Sequence, residues 1–130
     1  MNILMICTEK LPVPNIRGGA IQTYIGGAVG LQKAQHNITI IGRDDPELAS
    51  DERVDGVRYL RFESNGALET YMSNMIPYLA AGGTSYDLVH IFNRPRLVMP
   101  ISKIMPNAGI VLSMHNDMFN PHKLAREQGD

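Results

Sequence analysis

"NILMICTEKLPVPNIRGGAIQTYI", residues 2–25, decides how the rest of the chain reads. Residues 2–7 are a short apolar run, as in a buried strand. From residue 20 to residue 35 the apolar side chains Ile21, Tyr24, Ile25, Ala28 and Leu31 recur at helical spacing. Between strand and helix stand Pro12, Pro14 and the pair Gly18-Gly19. A plain connector needs less. Glycine lets backbone N–H groups approach a ligand, and a helix N-terminus favours an anion. With Arg17 as a neighbouring cation, the loop reads as a phosphate-ready site whose approach is stiffened by the prolines. The same pair also reads as a flexible connector. The loop is not a G-x-G-x-x-G turn, being too long, and it has no G-x-x-x-x-G-K-[ST] pattern.

Further apolar runs follow at residues 37–42 (NITIIG), 56–62 (GVRYLRF), 87–92 (DLVHIF) and 109–114 (GIVLSM). All but the second of these are nearly continuous, as expected of parallel strands covered on both faces. Residues 56–62 mix Val57, Tyr59, Leu60 and Phe62 with Arg58 and Arg61 and read as a strand nearer an edge. Two more helices are expected. One spans residues 67–81, with Leu68, Tyr71, Met72, Met75, Ile76 and Leu79 on one face and Pro77 predicting a kink or restart. The other spans residues 95–105 and starts on Pro95. Strands separated by helices predict an α/β fold, a doubly wound and mainly parallel Rossmann-like sheet. Residues 43–55 (RDDPELASDERVD) read as a solvated acidic loop, since their spacing matches no calcium loop. Gly26, Gly27 and Gly30 weaken the first helix or allow close approach of a partner surface.

Composition narrows the classes. The 130 residues suit one domain, and 44% hydrophobic with 19% charged residues suits a packed core. A net charge of −1 gives no basic surplus for nucleic acid. No basic segment precedes the apolar start, and no run approaches the about 20 residues of a membrane span. A cytoplasmic protein is expected. The lone cysteine, Cys7, reads as a small buried hydrophobe.

In doubly wound sheets ligands bind beyond the carboxyl ends of the strands. Besides the opening loop, that edge receives Asn93 and Arg94, after residues 87–92, and "SMHND", residues 113–117. His115 there can donate a hydrogen bond or move a proton near neutral pH. Asn93 can equally cap the next helix. His90, inside a strand, reads as a core histidine with a hydrogen-bond partner, and His122 as a surface residue. No serine elbow and no His/Cys cluster of zinc spacing is present. These residues suit binding a phosphorylated ligand better than covalent catalysis.

The opening stretch, "DLVHIFNRP" and "GIVLSMHND" together resemble the N-terminal half of family-4 retaining glycosyltransferases of the two-domain GT-B fold. The opening is especially similar to their bacterial spore-coat branch. The resemblance covers most of residues 1–118. It implies sugar transfer from a nucleotide-sugar donor to an acceptor, with no cofactor and no required metal. It places Arg17, Gly18, Gly19 and Ala20 at the donor phosphate and sugar, and His115, the catalytic candidate, at the transferred sugar. Asn93, Arg94 and Asn116 fall on the acceptor side. These residues hold no E-x7-E pair, so the family's C-terminal nucleotide domain is expected to be absent from them, and Phe92 stands where a second histidine is common. Residues 1–130 are therefore expected to be an incomplete N-terminal domain, inactive alone, with exposed apolar surface through which it could self-associate. The alternative is a non-catalytic spore-coat structural or carbohydrate-binding module. A nucleotide-binding regulator is a third reading, disfavoured because nothing specifies a base or ribose.

Overall fold

A computed structural model of the chain describes residues 1–10, 36–82 and 85–114. The expected first helix, with Gly26, Gly27 and Gly30, lies outside the described residues, as do Pro12, Pro14 and His122. Among the described residues six strands form one sheet: β1 (Asn2–Ile6), β2 (Asn37–Arg43), β3 (Asp51–Val54), β4 (Val57–Phe62), β5 (Leu88–Phe92) and β6 (Gly109–Ser113). Helix α1 (Leu68–Ala81) joins β4 to β5. A 3-10 turn (Pro95–Leu97) runs into α2 (Val98–Ile104) between β5 and β6.

The strand order is β3-β4-β2-β1-β5-β6. Every pair is parallel except β3 with β4. The fold is thus an α/β, Rossmann-like sheet, as its alternating pattern predicts. β1 is central, paired with β2 on one side and with β5 on the other. The chain leaves β1 toward β2 and later crosses back to β5, so the order reverses at β1. That reversal is where an open sheet leaves a crevice beyond its carboxyl edge.

Alternation along the strands sends side chains to two faces. Leu4, Ile6, Ile41, Leu60, Val89 and Ile91 pack with Tyr71, Met75 and Leu79 of α1 and with Leu97 and Ile101. Tyr71, Met75 and Leu79 recur every fourth residue, which is why α1 presents one apolar stripe. Ile3, Met5, Cys7, Ile38, Ile40, Val57 and Phe92 form a second buried cluster on the other face.

Three expectations change. α1 runs through Pro77 as one helix, so the chain does not restart there. Pro77 is exposed, so the carbonyl left by its missing N–H lies on the solvent side. Residues 43–55 are not loop throughout, because Asp51–Val54 is the antiparallel edge strand β3. Its charges suit an edge: Arg58 reaches Asp51 at 2.9 Å, and Arg61 reaches Glu52 at 2.7 Å. Finally, β6 is not covered on both faces. It lies at the end of the sheet of described strands, with Val111 and Leu112 exposed.

The β3–β4 turn is made by Asp55 and Gly56, with φ of 52° and 82°. Positive φ at both central residues is what a two-residue hairpin of this hand requires. A Cβ on Gly56 would meet no atom within 4 Å, so replacing it costs only backbone conformation. Gly56→Ala is expected to destabilise the chain by about 1 kcal/mol. Urea unfolding would measure this, and an unchanged midpoint would show that the turn can rearrange freely.

Candidate functional site

The carboxyl edge of the sheet begins where β1 leaves at Cys7, Thr8, Glu9 and Lys10. This short stalk is held by side chains from three directions. The Tyr71 hydroxyl on α1 donates to the Cys7 carbonyl at 2.9 Å. Ser64 Oγ, just past β4, donates to the Glu9 carbonyl at 2.9 Å. Arg43 Nη1, at the end of β2, donates to the Lys10 carbonyl at 2.9 Å. Lys10 Nζ in turn donates to the Gly66 carbonyl at 2.8 Å. Ser64 is fully buried, and its hydroxyl also accepts the Gly66 N–H at 3.2 Å, so one side chain ties two loops.

β5 leaves the sheet beside this stalk. Asn93 has a φ of 54°, a conformation that asparagine tolerates better than most residues. Its N–H donates to the Ser113 carbonyl at the end of β6, at 2.8 Å. The chain then turns so that Arg94 faces Glu9. Arg94 Nε and Nη2 grip the two carboxylate oxygens at 2.5 and 2.8 Å, while Nη1 donates to the Asn93 carbonyl at 2.6 Å. The Glu9 side chain is 2% exposed and that of Arg94 24%. Burial raises the Glu9 carboxyl, but Arg94's hydrogen bonds and charge more than offset it, so the group sits below the usual carboxylate range. Burial pushes the Cys7 thiol up to about 12. Cys7 is therefore an inert, buried side chain, as its position in the sequence suggests.

His90 lies one strand in from the β6 edge. Its Nε2 is 2.6 Å from Ser113 Oγ, and its ring stacks on Phe92 with centroids 4.1 Å apart. The expected core histidine thus has a partner, in a position only partly buried. Phe92, where a second histidine is common in the resembled family, is fully buried in the second cluster.

Of the candidate residues named from the sequence, Asn93 and Arg94 lie at the exit of β5. Arg94 is engaged with Glu9 there. Arg17, Gly18, Gly19, Ala20, His115 and Asn116 lie outside the described residues. Glu9 was not singled out by the sequence. A signal exists, however, once β1 and β5 are known to be neighbours. Ile6 pairs with Ile91, and three further residues along each strand bring Glu9 beside Arg94.

Fold and edge together define a Rossmann-like α/β sheet whose order reverses between β1 and β5, the place where ligands bind in folds of this class. No family model matches the chain. It is similar over 99% of its length, at 42% identity, to "Putative glycosyltransferase YtcC" of Bacillus subtilis (strain 168), of which it covers 30%. It is similar over its full length, at 38% identity, to "Spore coat protein SA" of the same organism, of which it covers 33%. Both names agree with the resemblance carried by the opening stretch. The chain spans about a third of the length of these curated relatives. Among the described residues no helix is long and apolar enough to cross a membrane.

Proposed function

We propose that this chain is the acceptor-side part of a retaining glycosyltransferase, an enzyme that moves a hexosyl or related sugar from a nucleoside-diphosphate donor to an acceptor. The observation that supports this best is the 42% identity, spread over 99% of the chain, to a protein named as a glycosyltransferase. In this reading the backbone N–H groups of Gly18, Gly19 and Ala20, with Arg17, stabilise charge on the departing diphosphate. His115 positions the transferred sugar. Asn93, Arg94 and Asn116 line the acceptor side. This reading assigns the nucleotide to a region outside these 130 residues, which cover 30% of that relative, and expects no sugar transfer by the residues alone. The reaction takes place in the cytoplasm, with the spore coat as the alternative location.

An amide-resolved NMR titration with uridine and guanosine diphosphate sugars tests the reading. Shifts confined to Gly18, Gly19, Ala20 and His115 are expected. A dispersed spectrum that does not move would overturn a preformed donor site. Robust sugar transfer by the chain alone would overturn the division of labour.

The name of the second relative favours one other reading, a non-catalytic coat module. Such a module would assemble without any nucleotide sugar. Sedimentation showing a clean monomer at high concentration would count against it.

A further inference from the structure

Glu9 and Arg94 are 85 residues apart in sequence and meet beyond the last paired residues of β1 and β5. The pair prolongs the strand register through side chains where the backbone ladder has ended. An exposed ion pair could be incidental, but here the carboxylate is 2% exposed and both of its oxygens are taken by one guanidinium. A buried pair of this kind is weak evidence for stability, since apolar residues of similar size often do as well. What it supplies is direction, because a bidentate fork fixes distance and plane together. The rest of the stalk points the same way. Carbonyls of Cys7, Glu9 and Lys10 each accept a side-chain donor, from Tyr71, Ser64 and Arg43 respectively. Ser64 and Arg43 belong to the loop after β4 and the end of β2, so these two fix one side of the stalk to the β2/β4 half, while Tyr71 comes from α1, which packs across both halves. Toward the β5 half, Cys7 packs in one cluster with Phe92, and the Glu9 carboxylate makes the bidentate polar link.

We propose that Glu9 is a positioning residue that locks the exits of β1 and β5 into one unit, so that the donor side after β1 and the acceptor side after β5 keep one preset spacing when a diphosphate sugar binds. Glu9 acts through Arg94. The ligand part of this inference rests on the donor-binding reading above; the mechanical part does not.

Amide hydrogen exchange and diphosphate-sugar titration of the chain with Glu9→Gln, Glu9→Asp and Arg94→Lys test it. In Glu9→Gln, exchange at Thr8–Lys10 and at Asn93, Arg94 and Leu97 is expected to quicken together, by about tenfold or more, with the β3–β4 hairpin unchanged. Affinity for uridine or guanosine diphosphate sugar is expected to fall by about tenfold in the same protein. Glu9→Asp keeps the charge but is too short for the fork, and Arg94→Lys keeps the charge but has no fork. Both are expected to behave like Glu9→Gln, and Arg94→Lys serves if Glu9→Gln does not fold. Faster exchange at one exit only, or equally across the sheet, would overturn the lock. So would wild-type behaviour of Glu9→Asp, which would show that charge alone suffices. If the wild-type chain binds neither sugar class, the preformed donor site fails while the exchange comparison still decides whether Glu9 joins the exits.

Discussion

Arg94→Ala is expected to destabilise the folded chain by about 3 kcal/mol at neutral pH, near the lower end for breaking a buried ion pair, because Arg94 keeps some contact with solvent. The loss comes from the carboxylate left behind. Glu9 is 2% exposed at its side chain, and among the described residues the other cation nearby, Lys10, has its Nζ 4.0 Å from Oε2 and is itself mostly in solvent. The pH dependence has a definite sign. In the wild-type chain the Glu9 carboxyl lies below its unfolded range. Its contribution is therefore full above the unfolded pKa and is lost as pH falls through the lower folded value. In the variant, burial, the largest influence, is opposed only by a backbone hydrogen bond and the charge of Lys10, so the folded value is expected to rise and acidification relieves the penalty. The gap between the two proteins should narrow between neutral pH and about pH 4. Urea unfolding at the two pH values measures it. A gap that stays constant would mean that the loss comes from the missing arginine stem and not from a stranded charge.

Tyr71→Ala should be at least as damaging, at about 3–5 kcal/mol. Tyr71 is fully buried, packs against Ile6, Leu60 and Ile91 in the helix-side cluster, and carries the donor for the Cys7 carbonyl. Tyr71→Phe keeps the ring and removes only the hydroxyl, which is expected to cost about 1 kcal/mol. Comparing the two by thermal or urea unfolding separates packing from the hydrogen bond that holds the β1 exit. Equal losses would show that the hydroxyl, not the ring, dominates, contrary to the packing account.

Most of this fold is legible in the sequence because burial dictates it. The runs NILMI, NITIIGR, VRYLRF, LVHIF and GIVLS become strands whose ends differ from the apolar runs by a residue or so. β3 is illegible by the same logic. An edge strand such as DERV does not need an apolar face, and its signal is the Asp55-Gly56 turn that follows it. β6 reads as a doubly covered strand, yet Val111 and Leu112 are 43% and 37% exposed, because periodicity reports what a strand could bury and not what lies beside it. The site follows the same division. Asn93 and Arg94 could be placed at a strand exit from the pattern alone. The importance of Glu9 could not, since it depends on which strands are neighbours, and composition around Glu9 carries no trace of a partner at position 94.

The central place of β1 also sets an order of events during synthesis. β1 is made first, but the sheet closes around it in two stages. β2 can pair with it once residues 37–43 have emerged. Its other edge must wait for Leu88–Phe92. At ribosomal rates of about 5–20 residues per second, that is a delay of several seconds. Throughout it, Ile3 to Ile6 present an apolar strand edge to their surroundings, and the Glu9 carboxylate is still without the arginine that will neutralise it. The nascent chain therefore passes through a stage in which its most central strand is half paired, the stage at which a chaperone that shields strand edges would have most to do.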